Sequence, residues 1–168
     1  MKAWIKIVYM VFAGLAVAVF IYPALHETGH ALAALAVGGQ VTKIRIFPVA
    51  FTECNVLQIN SGGRIVISAA GAVFPFLFTP FSAKRFVIWY PVFVLRIICL
   101  MSFVISFICV ILFLSGITVQ NEDMVYAVST CGGRPYAALC AAMLFAASAA
   151  FVIARDRPFS RFSNYLTD

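Results

Sequence analysis

Residues 3–37 read AWIKIVYMVFAGLAVAVFIYPALHETGHALAALAV, and the reading of this stretch decides the fold. It is almost wholly apolar as far as Tyr22, and then places His26, Glu27 and His30 among apolar neighbours. As one α-helix it would rise about 50 Å at 1.5 Å per residue, against a hydrocarbon core of about 30 Å. Such a helix must tilt, bend or overhang the membrane. Pro23 is the expected bend, because proline removes a backbone donor and crowds the carbonyl one turn back. Gly38-Gly39 is the expected end. Lys2 and Lys6 ahead of an apolar run resemble the start of a secretion signal. The run is much longer than the roughly 7–15 apolar residues of such a signal, so it is read as a retained helix.

Leu25-His26-Glu27-Thr28-Gly29-His30 has the pattern His-Glu-x-x-His. Residues four apart share a helix face, so both imidazoles can bind one Zn²⁺ ion. The glutamate between them can reach a water held by that ion. Zinc lowers the pKa of such a water toward 7, and Glu27 can take its proton and later give it to a leaving amine. A histidine in an apolar helix is ordinarily a packed core residue. Here the chain has only two histidines, and both lie in the motif. Glu27 as an idle carboxylate in apolar surroundings would be costly, which favours a functional role.

The rest of the composition agrees with a membrane setting. Of 168 residues, 64% are hydrophobic and 11% charged, whereas soluble domains run near 45–50% and about 25%. Too few polar residues remain to cover a water-facing surface, so the outside faces lipid. No polar stretch of domain size exists, which gives one domain over residues 1–154 and a polar, basic tail over 155–168 without a helical stripe. The net charge of +6 speaks to topology and lipid headgroups. It does not suggest nucleic acid, because the phenylalanines lie inside apolar runs and not on a basic face. The five cysteines, Cys54, Cys99, Cys109, Cys131 and Cys140, include no Cys-x-x-Cys pair and read as free thiols.

The expected architecture is an all-α polytopic membrane protein with about four spans, a short helix and a small β-hairpin between helices one and two. The hairpin covers 41–60: Val41 to Ile46 and Asn55 to Asn60 each alternate with period two. Its edge could accept an unwound substrate segment as an added strand. Gly62-Gly63 opens a second helix, about 64–82, with the small-residue patch Ala69-Ala70-Gly71-Ala72 for close helix approach. A third helix covers 87–115, interrupted only by Arg96, which could pair with an acid or snorkel to the surface; its place near the helix start favours snorkelling. A short segment, about 123–131, and a last apolar helix, 135–154, follow.

A catalytic zinc takes about three protein ligands and an open position. With no third histidine, the candidates are Glu53, Glu122, Asp123, Asp156 and Asp168. If three helices cross in turn, the loop at 116–122 returns to the side on which the motif sits. Asp123 is therefore the favoured ligand and Glu122 the next, although Asn121, Glu122 and Asp123 would each also suit a helix N-terminus.

These residues resemble the site-2 protease family of intramembrane zinc metalloproteases. The similarity covers most of the chain: the motif late in the first apolar helix, the stretch Gly38 to Ile46, a small-residue second helix, and an acid after the third. The resemblance implies zinc held by His26, His30 and an aspartate, with Glu27 as base. It also implies cleavage of transmembrane or membrane-proximal segments, often in regulated intramembrane proteolysis. The chain departs from the family where Gly-Pro-x-x-Asn is common in the second helix; Gly71-Ala72-Val73-Phe74 stands there, with no evident asparagine. Asp123 is followed by Met124 where glycine is common. The expected partners are a membrane-protein substrate segment and the lipid bilayer, and the expected location is a bacterial cytoplasmic membrane. The alternative is an inactive protease-like subunit acting in assembly or regulation.

Overall fold

A computed structural model describes residues 3–81, 83–120, 122–130 and 135–167. Lys2, Asn121, Cys131 and Asp168, each named above, lie outside the described residues. Among the described residues the chain is mostly helical, with three stretches long and apolar enough to cross a membrane: Trp4–Ala36, Phe86–Leu114 and Pro135–Thr167.

The first stretch comprises α1 (Ala3–Ala16), a widened π-helical turn (Val17–Ile21) and α2 (Tyr22–Ala36). The Tyr22 N–H reaches the carbonyl of Val17, five residues back. Pro23 follows at the start of α2, so its missing donor falls next to a turn that is already re-spaced. The helix ends at Val37, and Gly38 takes a φ of 85°, which glycine adopts without strain.

β1 (Gln40–Arg45) and β2 (Phe51–Asn55) pair antiparallel, with Gln40 opposite Asn55 and Arg45 opposite Phe51. A bulge at Thr42 shifts the register, and the Thr42 hydroxyl donates to the Glu53 carbonyl at 3.0 Å. The second strand therefore lies before the alternating run Asn55 to Asn60 that the sequence suggested. That run is a turn, because Asn60 caps α3 by accepting from Gly63 N–H at 2.8 Å. Arg64 fastens the same turn to the carbonyls of Ile59 and Val56.

α3 runs Ser61–Phe76, shorter than the expected 64–82. Its 16 residues rise about 24 Å, less than a ~30 Å hydrocarbon core. After Pro75 the chain tightens into i→i−3 bonds, with Phe78 N–H to Pro75 and Thr79 N–H to Phe76. α4 (Phe86–Leu114), α5 (Asp123–Thr130) and α6 (Pro135–Arg155) follow near the expected bounds. The core joins α3, α4 and the π-helical turn through Val17, Ala72, Leu95, Cys99 and Phe103. A second cluster, Val110 with Val125 and Val128, fixes α5 on the end of α4.

The tail corrects a sequence expectation. Pro158–Thr167 forms helix α7, and Phe162 and Tyr165 pack on the aromatic start of α4. Tyr165 stacks on Phe86 with ring centroids 3.7 Å apart, and Phe162 meets Trp89 edge-on. Lys6 of α1, itself buried, donates to the Tyr165 carbonyl at 2.6 Å. Arg96 does not snorkel. It is 0% exposed and pairs with Asp156, while its other nitrogens donate to the carbonyls of Thr79 (2.7 Å) and Phe81 (2.8 Å). Trp89 Nε1 donates to the same Asp156 oxygen at 2.8 Å. A guanidinium sealed from both water and headgroups needs a fixed anion and satisfied donors, and this cluster supplies both.

Candidate metal centre

Three side chains from two separate elements converge. His26 and His30 project from one face of α2, and Asp123 is the first residue of α5. His26 Nε2 lies 3.1 Å from His30 Nε2 and 3.1 Å from Asp123 Oδ2, and His30 Nε2 lies 3.2 Å from the same oxygen. The ligand atoms thus form a nearly equilateral triangle. Ligands around a tetrahedral zinc with bonds of about 2.0–2.1 Å lie roughly 3.3–3.4 Å apart, so the spacing fits such an ion.

The donor chemistry also fits. His30 Nδ1 sits 2.7 Å from the Ile67 carbonyl, which fixes the proton there and turns an unprotonated Nε2 toward the triangle. Three electron-pair donors facing one point repel each other unless a cation or a proton lies among them. His26 Nδ1 is buried and has no partner among the described residues. Two nitrogens and a carboxylate oxygen with an open side suit a catalytic divalent metal such as zinc. Burial alone would raise the Asp123 carboxyl, but with a proton on the facing imidazoles in place of a metal the contacts to His26 and His30 outweigh that and hold it far below the usual carboxylate range.

Close helix packing builds the rest. A Cβ at Gly71 would collide with the His30 ring and stand 2.8 Å from His26 Cε1; a Cβ at Gly29 would collide with the Ala70 carbonyl and stand 2.7 Å from Phe74 Cβ. Each helix thus lends the other a glycine at the contact, and α3 closes directly over both imidazoles. The small-residue patch signalled this approach in the sequence.

The two leading acid candidates separate cleanly. Asp123 meets the histidines, whereas Glu122 caps α5. One Glu122 oxygen accepts from Val125 N–H at 2.7 Å and the other from the Ser106 hydroxyl at 2.6 Å. Burial raises the Glu122 carboxyl above its ordinary value, against the pull of the Ser106 bond. Of the other candidates, Glu53 lies in β2 opposite Lys43, and Asp156 is held by Arg96 and Trp89.

Glu27 is 6% exposed and lines a cavity of about 750 Å³ together with His26, His30, Asp123 and the β2 residues Phe51, Thr52 and Cys54. The Thr52 hydroxyl donates to the Glu27 carbonyl at 3.0 Å, tying β2 to the motif's turn of helix. Burial, then the nearby Glu27 charge, push the Cys54 thiol up. Sequence reasoning missed the supporting roles of Ile67, Thr52 and Ser106, each made by a contact between elements distant in the chain.

Comparison with protein-family models, with curated proteins and with solved structures gives no match for this chain.

Proposed function

We propose that this chain is an intramembrane zinc metalloendopeptidase, hydrolysing peptide bonds in or near transmembrane segments of other membrane proteins. The observation that carries the reading is the convergence of His26, His30 and Asp123 beside a buried Glu27, within a bundle of long apolar helices. Zinc bound by these three residues would supply Lewis acidity, polarising a carbonyl and making water acidic at neutral pH. Glu27 accepts the proton of the attacking water and returns it to the leaving nitrogen. The Ile67 carbonyl keeps His30 in the tautomer that leaves Nε2 free to bind. α3 serves as a fourth element at membrane depth, laid against α2 by Gly29 and Gly71.

The test is hydrolysis by zinc-loaded protein in lipid vesicles holding a single-span substrate. Wild type should release fragments, and Glu27→Gln should keep its zinc while cutting about 10²–10⁴-fold more slowly. A zinc-loaded wild type that leaves a panel of such substrates intact would favour the non-catalytic subunit instead.

β2, which lines the larger cavity, also offers a strand edge on which an unwound substrate could be held extended. Donors alternate between the two edges of a strand, so of proline at Thr52 and proline at Glu53 one removes an outward N–H. One of these two variants should cut several-fold more slowly with zinc retained. If both cut at the wild-type rate, strand addition drops out of the mechanism.

A further inference from the structure

A second cavity, of about 350 Å³, adjoins the first, and His26, Glu122 and Asp123 line both. His26 and Asp123 therefore form a partition with space on either side. The two sides differ in chemistry. Glu27 and the hairpin border only the larger cavity. The smaller one is walled by Ala72, Ile98, Met101, Ile105 and Met124. Its other polar groups are the hydroxyls of Tyr22, Ser102 and Ser106, and that of Ser106 is already given to Glu122. Met101 and Ile105 are each 52% exposed, so the mouth of the cavity is bordered by apolar side chains of α4.

We propose that this smaller cavity is an apolar subsite of the metal centre, taking a large flexible or aromatic side chain (leucine, methionine or phenylalanine) next to the bond being cut; it rests on the protease reading. A peptide held extended along β2 sends successive side chains to opposite faces. With its carbonyl at the His26–Asp123 partition, one flanking side chain passes the ligands into the second space. A polar side chain there would lose its water for few partners, whereas an apolar one gains by burial. Two methionines in the wall give the unbranched, polarisable lining that adapts to several apolar shapes.

Equilibrium binding of hydroxamates to the zinc-loaded, detergent-solubilised chain tests this without needing turnover. The probes carry a methyl, an isobutyl or a benzyl group beside the metal-binding end. Affinity should rise about tenfold or more from methyl to isobutyl or benzyl. Ser102→Phe, which fills the space, should erase that gain yet leave the methyl probe's affinity and the zinc content unchanged. Ile105→Ala, which enlarges it, should move the preference toward benzyl. Affinity independent of the side chain, or a gain that survives both variants, overturns the subsite. A side-chain-dependent series in a protein that cuts no substrate would sustain the subsite while removing the hydrolytic reading. A flat series in a protein that does cut would remove the subsite alone.

Discussion

Replacing Asp123 or His26 by alanine should take the bound zinc from about one ion per chain to none, as read by elemental analysis of purified protein. A zinc ion in such a site has about three protein ligands. Removing one leaves two donors and a further water, too weak a hold in competition with a mild chelator. The geometry sharpens this into a contrast between neighbours. Glu122→Ala should keep its zinc, because both Glu122 oxygens are engaged by Ser106 and Val125 and neither faces the histidines. Its expected loss is that of an N-cap, about 1 kcal/mol of stability. The assignment fails if Asp123→Ala retains zinc while Glu122→Ala loses it. Wild type that takes up no zinc even after reconstitution would leave the motif without a metal role.

Asp156→Ala should destabilise the fold by about 3–5 kcal/mol, the usual result of leaving one member of a buried ion pair alone. Arg96 cannot escape to water, since it is 0% exposed and bracketed by the Thr79 and Phe81 carbonyls. The companion experiment removes both charges. Arg96→Met with Asp156→Leu should recover much of the loss, because no uncompensated ion remains; the two carbonyls and Trp89 Nε1 then lack partners, which keeps recovery incomplete. Unfolding in mixed detergent micelles gives the comparison. A single variant within about 0.5 kcal/mol of wild type, the range of ordinary surface changes, would show that the pair is not sealed as described.

Much of the His26–His30–Asp123 cluster was legible in the chain. His26 and His30 are four apart, and a helix turns that spacing into proximity with no further information. Asp123 followed from counting the second helix as a full crossing, which would bring the loop after α4 back to the motif's side. That count was coarser than the structure, since among the described residues three helical stretches are long enough to span and α3 is not. What could not be read depends on partners far away in sequence. Arg96 finds Asp156 sixty residues later, and an isolated arginine in an apolar run looks the same whether paired or snorkelling. The alternation of Asn55 to Asn60 suited a strand equally well, and only Asn60 capping α3 turns it into a loop. For α7 a signal was present: Pro158 at the first position and Phe162, Tyr165 and Leu166 at helical spacing. It was obscured by the basic residues around it, one of which, Arg161, is anchored to the Ala83 carbonyl.

The π-helical turn at Val17–Ile21 separates two demands on the first span. Length and facing direction are independent properties of a helix, and a widened turn changes the second with little effect on the first. Adding or removing one residue there would leave a helix still able to cross the membrane, but would swing everything after it by about 100°. His26 and His30 would then face away from α5, and Asp123 would have no nitrogen to meet. The span ahead of the turn can therefore vary with the lipid around it, while the angular setting of the turn stays tied to the metal ligands beyond it.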